Sequence, residues 1–401
     1  MSKWKEHLLG EFIEIKHGFA FKGIDITEMP NQNILVTPGN FHIGGGFKAL
    51  KFKYYKGEIP EEYILNEGDI VVTMTDLSQE TDTLGYSAKI PKYDGVNFLH
   101  NQRIGLVQFK SKEVNKDFIY WTMRTKEYQG FIVGSASGTS IMHTSPSRIK
   151  EYSFQLPPLQ QQNYIANTLN SIDNKIDLLR RQNETMQSLA ETLFKHWFVV
   201  EADESWVECS LDKIANYLNG LALQKFPVDD DTNYLPVIKI RELKQGISAN
   251  TEKCSSKIPP QYVIKDGDII FSWSGSLEVV IWHDGIGALN QHLFKVTSDK
   301  YPKWFYFLAT KHHLPEFRNI AHTKSTTMGH IQRHHLTEAI ISIPPEDVFN
   351  KYGNSISPLI EKIIKNNAQI KSLSQMRDTL LPKLMSGEVS VENVQEELVS
   401  A

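Results

Sequence analysis

Two stretches of the chain carry apolar residues at steps that alternate between four and three positions. The first stretch covers residues 165–197, without glycine or proline, and the second covers residues 359–384. This alternation corresponds to a period of about 3.5 residues, which is typical of a coiled-coil seam rather than of a helix on a globular core. The pattern predicts two long helices, the second ending near Ser386-Gly387. Pro382 predicts a kink or an early end in its last turn.

Each seam contains one asparagine, Asn183 in the first and Asn366 in the second. If the two helices run antiparallel with these asparagines side by side, apolar residues face apolar residues along both seams. Arg377, opposite Ile172, is the exception, and its long stem is expected to run along the apolar surface to water. Because paired amides satisfy each other and fix register, we predict an antiparallel intramolecular coiled coil. The alternative is two separate helices, each packed on its own β-rich domain.

The segments that precede the two helices repeat one pattern. The corresponding landmarks, first copy against second, are Trp4 and Trp206, Gly18 and Gly220, Gly68 and Gly267, Asn101 and Asn290, the aromatic stretches 117–121 and 302–306, and the Pro-Pro pairs at 157–158 and 344–345. The stretches that end at Gly18 and Gly220 have a helical pattern. Gly68 and Gly267, flanked by acids, predict turns that lead into buried strands, and the aromatic stretches predict short helices.

The distances between these landmarks differ in the two copies, so the copies share a scaffold and differ in their loops. Such a pattern suits two sites that perform related tasks on different targets, although a duplicated enzyme domain would look similar. The predicted fold class is α+β, with two globular mixed α/β domains related by pseudo-two-fold symmetry and joined by two long helices that form an antiparallel coiled coil. The predicted segments are 1–158, the first domain; 159–200, the first long helix; 201–346, the second domain; 347–387, the second long helix; and 388–401, a C-terminal tail.

Composition and charge narrow the class of protein. A chain of 401 residues with 40% apolar and 10% aromatic residues predicts a globular protein of two or three domains. Cys209 and Cys254 fit neither a disulfide framework nor a metal site. Without an apolar leader or membrane-spanning stretch, we expect a cytoplasmic protein with no membrane contact. The net charge of -4 argues weakly against a simple nucleic-acid binder, but separate DNA-facing and protein-facing surfaces are compatible with it.

Motifs for catalysis are missing from the sequence. The three Pro-Pro sites follow Leu156, Ile258 and Ile343, whereas an amino-methyltransferase needs a polar residue there to bind the target amine. There is also no GxxxxGK[ST] loop for phosphate binding. His330, His334 and His335 include a spacing that zinc could use, but no cysteine is near and the first copy has only His143 there. We therefore predict no catalytic residue, no cofactor and no metal.

The string from Leu156 to Gln162 (LPPLQQQ) and the closing string from Leu380 to Val389 (LLPKLMSGEV) resemble those of the specificity subunits of type I restriction-modification systems. With the duplicated architecture, the resemblance covers nearly the whole chain. In the second copy, Pro344-Pro345-Glu346-Asp347-Val348 replaces the glutamine-rich string.

The resemblance implies two target-recognition domains, each reading one half of a bipartite site in double-stranded DNA. It also implies that the helices set the spacer and dock two modification (methyltransferase) subunits, to which restriction (translocase/nuclease) subunits are added. These partners would carry all catalysis. A helix of about 30 residues spans roughly 45 Å, which exceeds one turn of B-DNA, about 34 Å. A duplicated DNA-binding or protein-binding adaptor that acts without such partners remains the alternative.

Polar loop residues supply the groups that DNA recognition requires. The candidate DNA-binding residues are Lys22, Thr75, Ser78, Arg103, Ser137, Thr139, Ser140, His143, Ser147 and Arg148 in the first copy, and Lys239, Arg241, Ser274, Ser276, Lys324, Ser325, Thr326, Thr327, His330 and Arg333 in the second. Asn101-Gln102 and Asn290-Gln291 recur in both copies. Because two domains that read different bases need different contact residues, we interpret these amides as turn-fixing groups.

Overall fold

The computed structural model describes residues 4–76, 81–138, 141–228, 232–323 and 329–389. Their contacts divide the chain into two compact units. The first unit combines the described residues of Met1–Asn174 with those of Gln375–Ala401, and the second comprises those of Lys175–Ser374. Each unit therefore contains one β-rich domain together with one part of each long helix.

The long helices are present as the apolar period predicted. The first runs over Leu159–Lys195 and continues as a π-helical turn, His196–Val200. The second runs over Glu346–Ser386. Of the kink or early end expected at Pro382, the early end is wrong, because the second helix continues to Ser386. Leu381 and Leu384 are buried in the core of the first unit, and this packing outweighs the backbone hydrogen bond that proline removes.

The first unit is built around two sheets and several short helices. Its five-stranded mixed sheet has the order Ile26–Thr27, Lys53–Tyr55, Asn33–Val36, Asn97–His100, Ile64–Leu65, and its four-stranded antiparallel sheet has the order Ile13–His17, Ile104–Phe109, Ile70–Thr73, Ser87–Lys89. Two strand pairs complete it, Lys5–Leu8 with Ser153–Leu156 and Thr75–Asp76 with Met142–His143. Its short α-helices are Leu9–Phe12, Lys116–Thr122, Lys126–Val133 and Pro146–Lys150, and its 3-10 turns are Gly23–Asp25, Pro38–Asn40 and Glu61–Tyr63.

The second unit repeats this plan with two four-stranded sheets. Their orders are Asn216–Asn219, Leu293–Thr297, Ile269–Ser272, Val279–Ile281 for one, and Lys253–Ser255, Tyr234–Ile238, Gly287–Leu289, Val263–Ile264 for the other. Val207–Ser210 pairs with Ile340–Ile343. The short α-helices are Leu211–Ile214, Ile240–Gln245, Lys303–His312, Leu314–Thr323 and Arg333–Glu338, and the 3-10 turns are Leu223–Lys225 and Pro260–Tyr262.

Most of the repeated landmarks have the predicted structure. Gly68 and Gly267 adopt φ angles of 80° and 87°, and each precedes a fully buried strand. Both aromatic stretches are helical. The helical pattern of the stretches that end at Gly18 and Gly220 is only partly correct. In the second copy only Leu211–Ile214 is helical and Asn216–Asn219 forms a strand. In the first copy only Leu9–Phe12 is helical and Ile13–His17 forms a strand. Alternate isoleucines of that strand are buried, which is the two-residue period of a sheet.

Within the second unit, the two helices lie antiparallel with the predicted asparagines in contact. The Nδ2 of Asn366 donates to the Oδ1 of Asn183 over 2.9 Å, and the Nδ2 of Asn183 donates to the Oδ1 of Asn367 over 2.7 Å. Further along, Trp197 stacks on Tyr352 with ring centroids 4.6 Å apart. These contacts agree with the coiled-coil fold class predicted from the period, rather than with two unconnected helices.

Within the first unit, Arg377 does not extend to water as expected. Its side chain is 13% exposed and its guanidinium lies 2.7 Å from the carboxylate of Asp173, on the first helix. Because the carboxylate neutralises the guanidinium between the helices, the arginine side chain does not need to extend to water. Among the described residues, no helix is both long enough and apolar enough to cross a membrane.

Candidate nucleic-acid interface

The same tight turn occurs once in each unit, after strands Asn97–His100 and Gly287–Leu289. Asn101 and Asn290 are buried at these turns, and each side-chain Oδ1 accepts a hydrogen bond from the backbone N–H two residues ahead. The distances are 3.1 Å from Arg103 and 3.2 Å from His292. The interpretation of these two asparagines as turn-fixing amides is confirmed.

Gly18 and Gly220 recur because the turns press against them. A Cβ on Gly18 would lie 2.1 Å from the carbonyl oxygen of Asn101, and a Cβ on Gly220 would lie 2.2 Å from that of Asn290. Backbone atoms cannot yield at such distances, so only glycine fits. The repeated glycines therefore hold the two turns in equivalent places.

The first turn brings together three candidate residues, Thr75, Arg103 and His143, which we call the first cluster. The N–H of Met74 donates to the carbonyl of Arg103 over 2.9 Å. Thr75 is paired with His143 across an antiparallel ladder, and its hydroxyl lies 3.1 Å from Nδ1 of the histidine. Thr75 is buried, whereas Arg103 and His143 are exposed. The cluster thus exposes a guanidinium and an imidazole, and the buried threonine hydroxyl lies against the imidazole.

The second turn builds the equivalent second cluster from Ser274, His292 and His330. The N–H of Trp273 donates to the carbonyl of His292 over 3.3 Å, and Ser274 forms a bridge with His330. Buried Ser274 has its hydroxyl 3.1 Å from Nδ1 of His292. The ring of Trp273 lies 5.9 Å from that of His292 and 6.2 Å from that of His330.

His292 and Trp273 were not among the candidates chosen from the sequence. The evidence for His292 was present, because the repeated turn aligns it with Arg103. Trp273 had no comparable indication, since the corresponding residue of the first copy is Met74. Its position follows from the hydrogen bond of its Nε1 to Asn219, 3.0 Å long.

The remaining candidates of the first copy differ in exposure and in whether their side chains contact other protein groups. Lys22, Ser137 and Ser147 are exposed, and the backbone of Ser137 pairs with that of His143 beside the first cluster. Arg148 is half-buried and engaged by its own unit, 2.8 Å from the carboxylate of Glu151 and 3.8 Å above the ring of Phe131. Ser78, Thr139 and Ser140 lie outside the described residues.

In the second copy, the cationic candidates that the structure describes have protein partners. Lys239 forms an ion pair with Glu252, and Arg241 lies 3.4 Å from Glu242. Exposed Arg333 donates to the carbonyl of Tyr217 over 3.4 Å. Ser276 is exposed. Lys324, Ser325, Thr326 and Thr327 lie outside the described residues.

Among the described residues, His334, His335 and Glu338 form a group that could hold a metal ion, since their ligand atoms lie within 4.8 Å of one another. The backbone N–H of Gln332, however, donates to Nδ1 of His335 over 2.9 Å. A neutral imidazole has one accepting nitrogen and carries its proton on the other. Metal binding by His335 would therefore break the hydrogen bond that begins helix Arg333–Glu338, and the arrangement does not fit a metal site well.

His100 lies directly behind the first turn and is fully buried. Its Nε2 donates to the carbonyl of Ile104 over 2.8 Å, and burial lowers its pKa to about 4. The ring is therefore neutral at pH 7. In the second unit, Leu289 takes the same position, so the two turns rest on different supports.

Comparison with known families accounts for the duplication. The family model described as "Type I restriction modification DNA specificity domain" matches residues 1–187 and again residues 203–375. The chain therefore belongs to this family and is a specificity subunit of a type I restriction-modification system, a class of protein that recognises DNA sequence.

Two relatives and one solved structure illustrate the similarity. The chain is 25% identical to the type I restriction enzyme MjaIX specificity subunit of Methanocaldococcus jannaschii over 306 residues, which cover 70% of this chain and 71% of the relative. It is 26% identical to the EcoBI specificity subunit of Escherichia coli over 196 residues, 47% of this chain and 40% of the relative. The fold is similar to that of the type I restriction-modification S subunit from M. genitalium, with a TM-score of 0.52, 18% identity, and coverage of 95% and 96% of the two chains.

Proposed function

We propose that the chain reads a bipartite site in double-stranded DNA, with residues 1–158 recognising one half and residues 201–346 the other. In this proposal, the long helices set the spacer between the halves and dock two modification subunits, which restriction subunits then join. The chain itself makes and breaks no covalent bond, and methylation and cleavage belong to the partner subunits.

The observation that carries the proposal is the pair of equivalent clusters with different exposed groups. The turns of both units use a buried asparagine and a glycine in the same way. Two residues after the asparagine, the first cluster exposes Arg103 and the second exposes His292. Because the scaffold is shared and the presented groups differ, the pattern supports two domains that read different bases.

The helices support the roles in spacing and docking. The first has 37 residues, and a helix of that length spans about 55 Å. In the second unit, Leu178 and Leu189 remain 42% and 46% exposed on it. A groove there is lined by Leu178, Arg181, Gln182, Thr185, Met186 and Lys362. Exposed apolar side chains of this kind favour contact with another protein.

The test is methylation of a duplex library by the chain assembled with its cognate modification subunit. We expect methylated duplexes to share a motif in two parts with a constant spacer. In gel-shift assays, we expect weak binding by the chain alone and specific binding by the assembly. Methylation without any split motif, or with a spacer of varying length, would contradict the proposal.

A further inference from the structure

We infer that Arg103 and His292 are equivalent specificity-determining residues, and that Arg103 reads a guanine in its half of the site. The inference rests on the proposed function, because it assumes that the two clusters face DNA. It goes further by assigning one base and one residue, and by predicting what the exchange of the two residues does.

The two residues occupy the same place in the two copies. The backbone N–H of each donates a hydrogen bond to the side-chain Oδ1 of the buried asparagine of its turn. Each accepts a hydrogen bond on its carbonyl from the residue that follows a buried strand, Met74 for Arg103 and Trp273 for His292. Because both backbone groups are fixed, binding of a ligand has to order only the side chain and not the backbone.

The side chain of Arg103 is exposed, and no carboxylate of the described residues lies within ion-pair distance of it. The other arginines of the first unit have carboxylate partners within the protein. Arg124 and Arg377 share Asp173, and Arg148 is held by Glu151. An arginine that is positioned by its backbone and has no ion-pair partner in the described part of the chain is suited to an external acceptor.

Guanine presents two acceptors, O6 and N7, in the major groove, and the planar fork of arginine matches both at once. An imidazole offers one nitrogen at a time to a base edge. His292 also has its Nδ1 3.1 Å from the hydroxyl of Ser274. The second cluster therefore lacks the two-pronged donor of the first, and its half-site is read by other means.

Reciprocal exchange tests the inference in the assembly with modification subunits. The variants are Arg103→His and His292→Arg, each used to methylate a library in which every position of the wild-type motif is randomised. For R103H we expect the preference for guanine to fall by about 10-fold to 100-fold at one position of one half-site. For H292R we expect a new guanine preference at one position of the other half-site.

Two controls separate base reading from simpler effects. R318H changes an exposed arginine of helix Leu314–Thr323 that already pairs with Glu278, and it should leave the motif unchanged. R103K keeps the charge without the fork, and it should lose guanine preference while the affinity for unrelated duplex is retained. The half-site read by the unaltered domain reports, in each variant, that the assembly is folded.

Two results would overturn the inference while leaving the proposed function intact. One is a bipartite motif that R103H leaves unchanged at every position. The other is a uniform loss of affinity for all sequences in R103H, with R103K restored to wild type, which would make Arg103 a phosphate contact. If the wild-type assembly shows no bipartite motif at all, the proposed function itself fails.

Discussion

In the two units, different kinds of side-chain contact join the same pair of long helices. In the first unit the contact is ionic, because Asp173 of the first helix lies 2.7 Å from both Arg124 of the β-rich domain and Arg377 of the second helix. In the second unit the contact is made by amides, Asn183 with Asn366 and Asn367, and by the stacked rings of Trp197 and Tyr352.

The ionic contact extends into the domain. The guanidinium of Arg124 is 2% exposed and also donates to the carbonyls of Gly44 and Gly45, over 2.9 and 3.2 Å. A Cβ on Gly45 would lie 2.8 Å from the Arg124 stem, so this glycine is required. Burial opposes ionisation of Asp173, but the two arginines outweigh it and lower its pKa to about 2.

The comparison shows that a shared architecture does not require a shared stabilising interaction. Both arginines depend on the one carboxylate, because without Asp173 each would be a buried charge with no counter-charge. An amide pair is neutral, so its loss leaves unmade hydrogen bonds but no unpaired charge. The first unit should therefore be far more sensitive to a single substitution than the second.

The largest effect is expected for Asp173→Ala. The substitution leaves Arg124 and Arg377 without their counter-charge and should lower the free energy of unfolding of the first unit by about 3–5 kcal/mol. Asp177→Ala is the matched control, because Asp177 is 60% exposed and lies 3.6 Å from Arg180, and it should cost less than about 1 kcal/mol. Urea denaturation, monitored by hydrogen exchange, measures the loss of stability in both variants. Equal losses would contradict the proposed importance of the buried ionic contact.

The pH dependence of the same contact has a definite sign. The pKa of Asp173 is lowered in the folded state, from 3.8 to about 2. The stabilisation is therefore complete above about pH 4 and is lost as the pH falls towards 2. Asp173→Ala should remove this part of the acid transition. A variant that loses stability between pH 4 and 2 as steeply as the wild type would contradict the assignment.

Asn183→Ala tests the amide contact of the second unit. Asn366 is 1% exposed, and without Asn183 its Nδ2 loses its acceptor, which should cost about 1–3 kcal/mol. The double variant N183L/N366L should recover most of that loss, because both partners become apolar. It should also weaken the preference for one register, seen as broader hydrogen exchange along the second unit's helices. A double variant less stable than the single one would contradict the account.

His100→Leu places in the first unit the residue that the second unit has at Leu289. In the wild type, the pKa of His100 is lowered by burial to about 4, so the unfolded chain binds the proton more readily. Stability is therefore retained above about pH 6.5 and falls by about 2 kcal/mol between pH 7 and pH 5. In the variant, hydrogen exchange of strand Ile104–Phe109 should no longer depend on pH in this range, and an unchanged dependence would exclude His100 as its source.

Features determined by residues close together in the sequence could be predicted, and features that depend on residues far apart in the sequence could not. The seams and the asparagine pair follow from a local period, so they were predictable. The contact of Arg124 with Asp173 joins residues far apart in sequence, and no period reports it. Thr75 and His143 meet only through strand pairing, which is why their cluster was not predicted although each residue was a candidate.

The smallest effect is expected for Lys371→Ala, which tests charge in the second unit. Lys371 of the second long helix lies 3.4 Å from Asp266 of the β-rich domain, and the side chains are 31% and 44% exposed. Water and salt screen such a pair, so its loss should cost less than about 1 kcal/mol and should fade in high salt. Asp173→Ala at the same salt concentrations should keep its full effect, because its partners are buried. If Lys371→Ala matched Asp173→Ala, position between domain and helix, rather than burial, would determine the strength of these contacts.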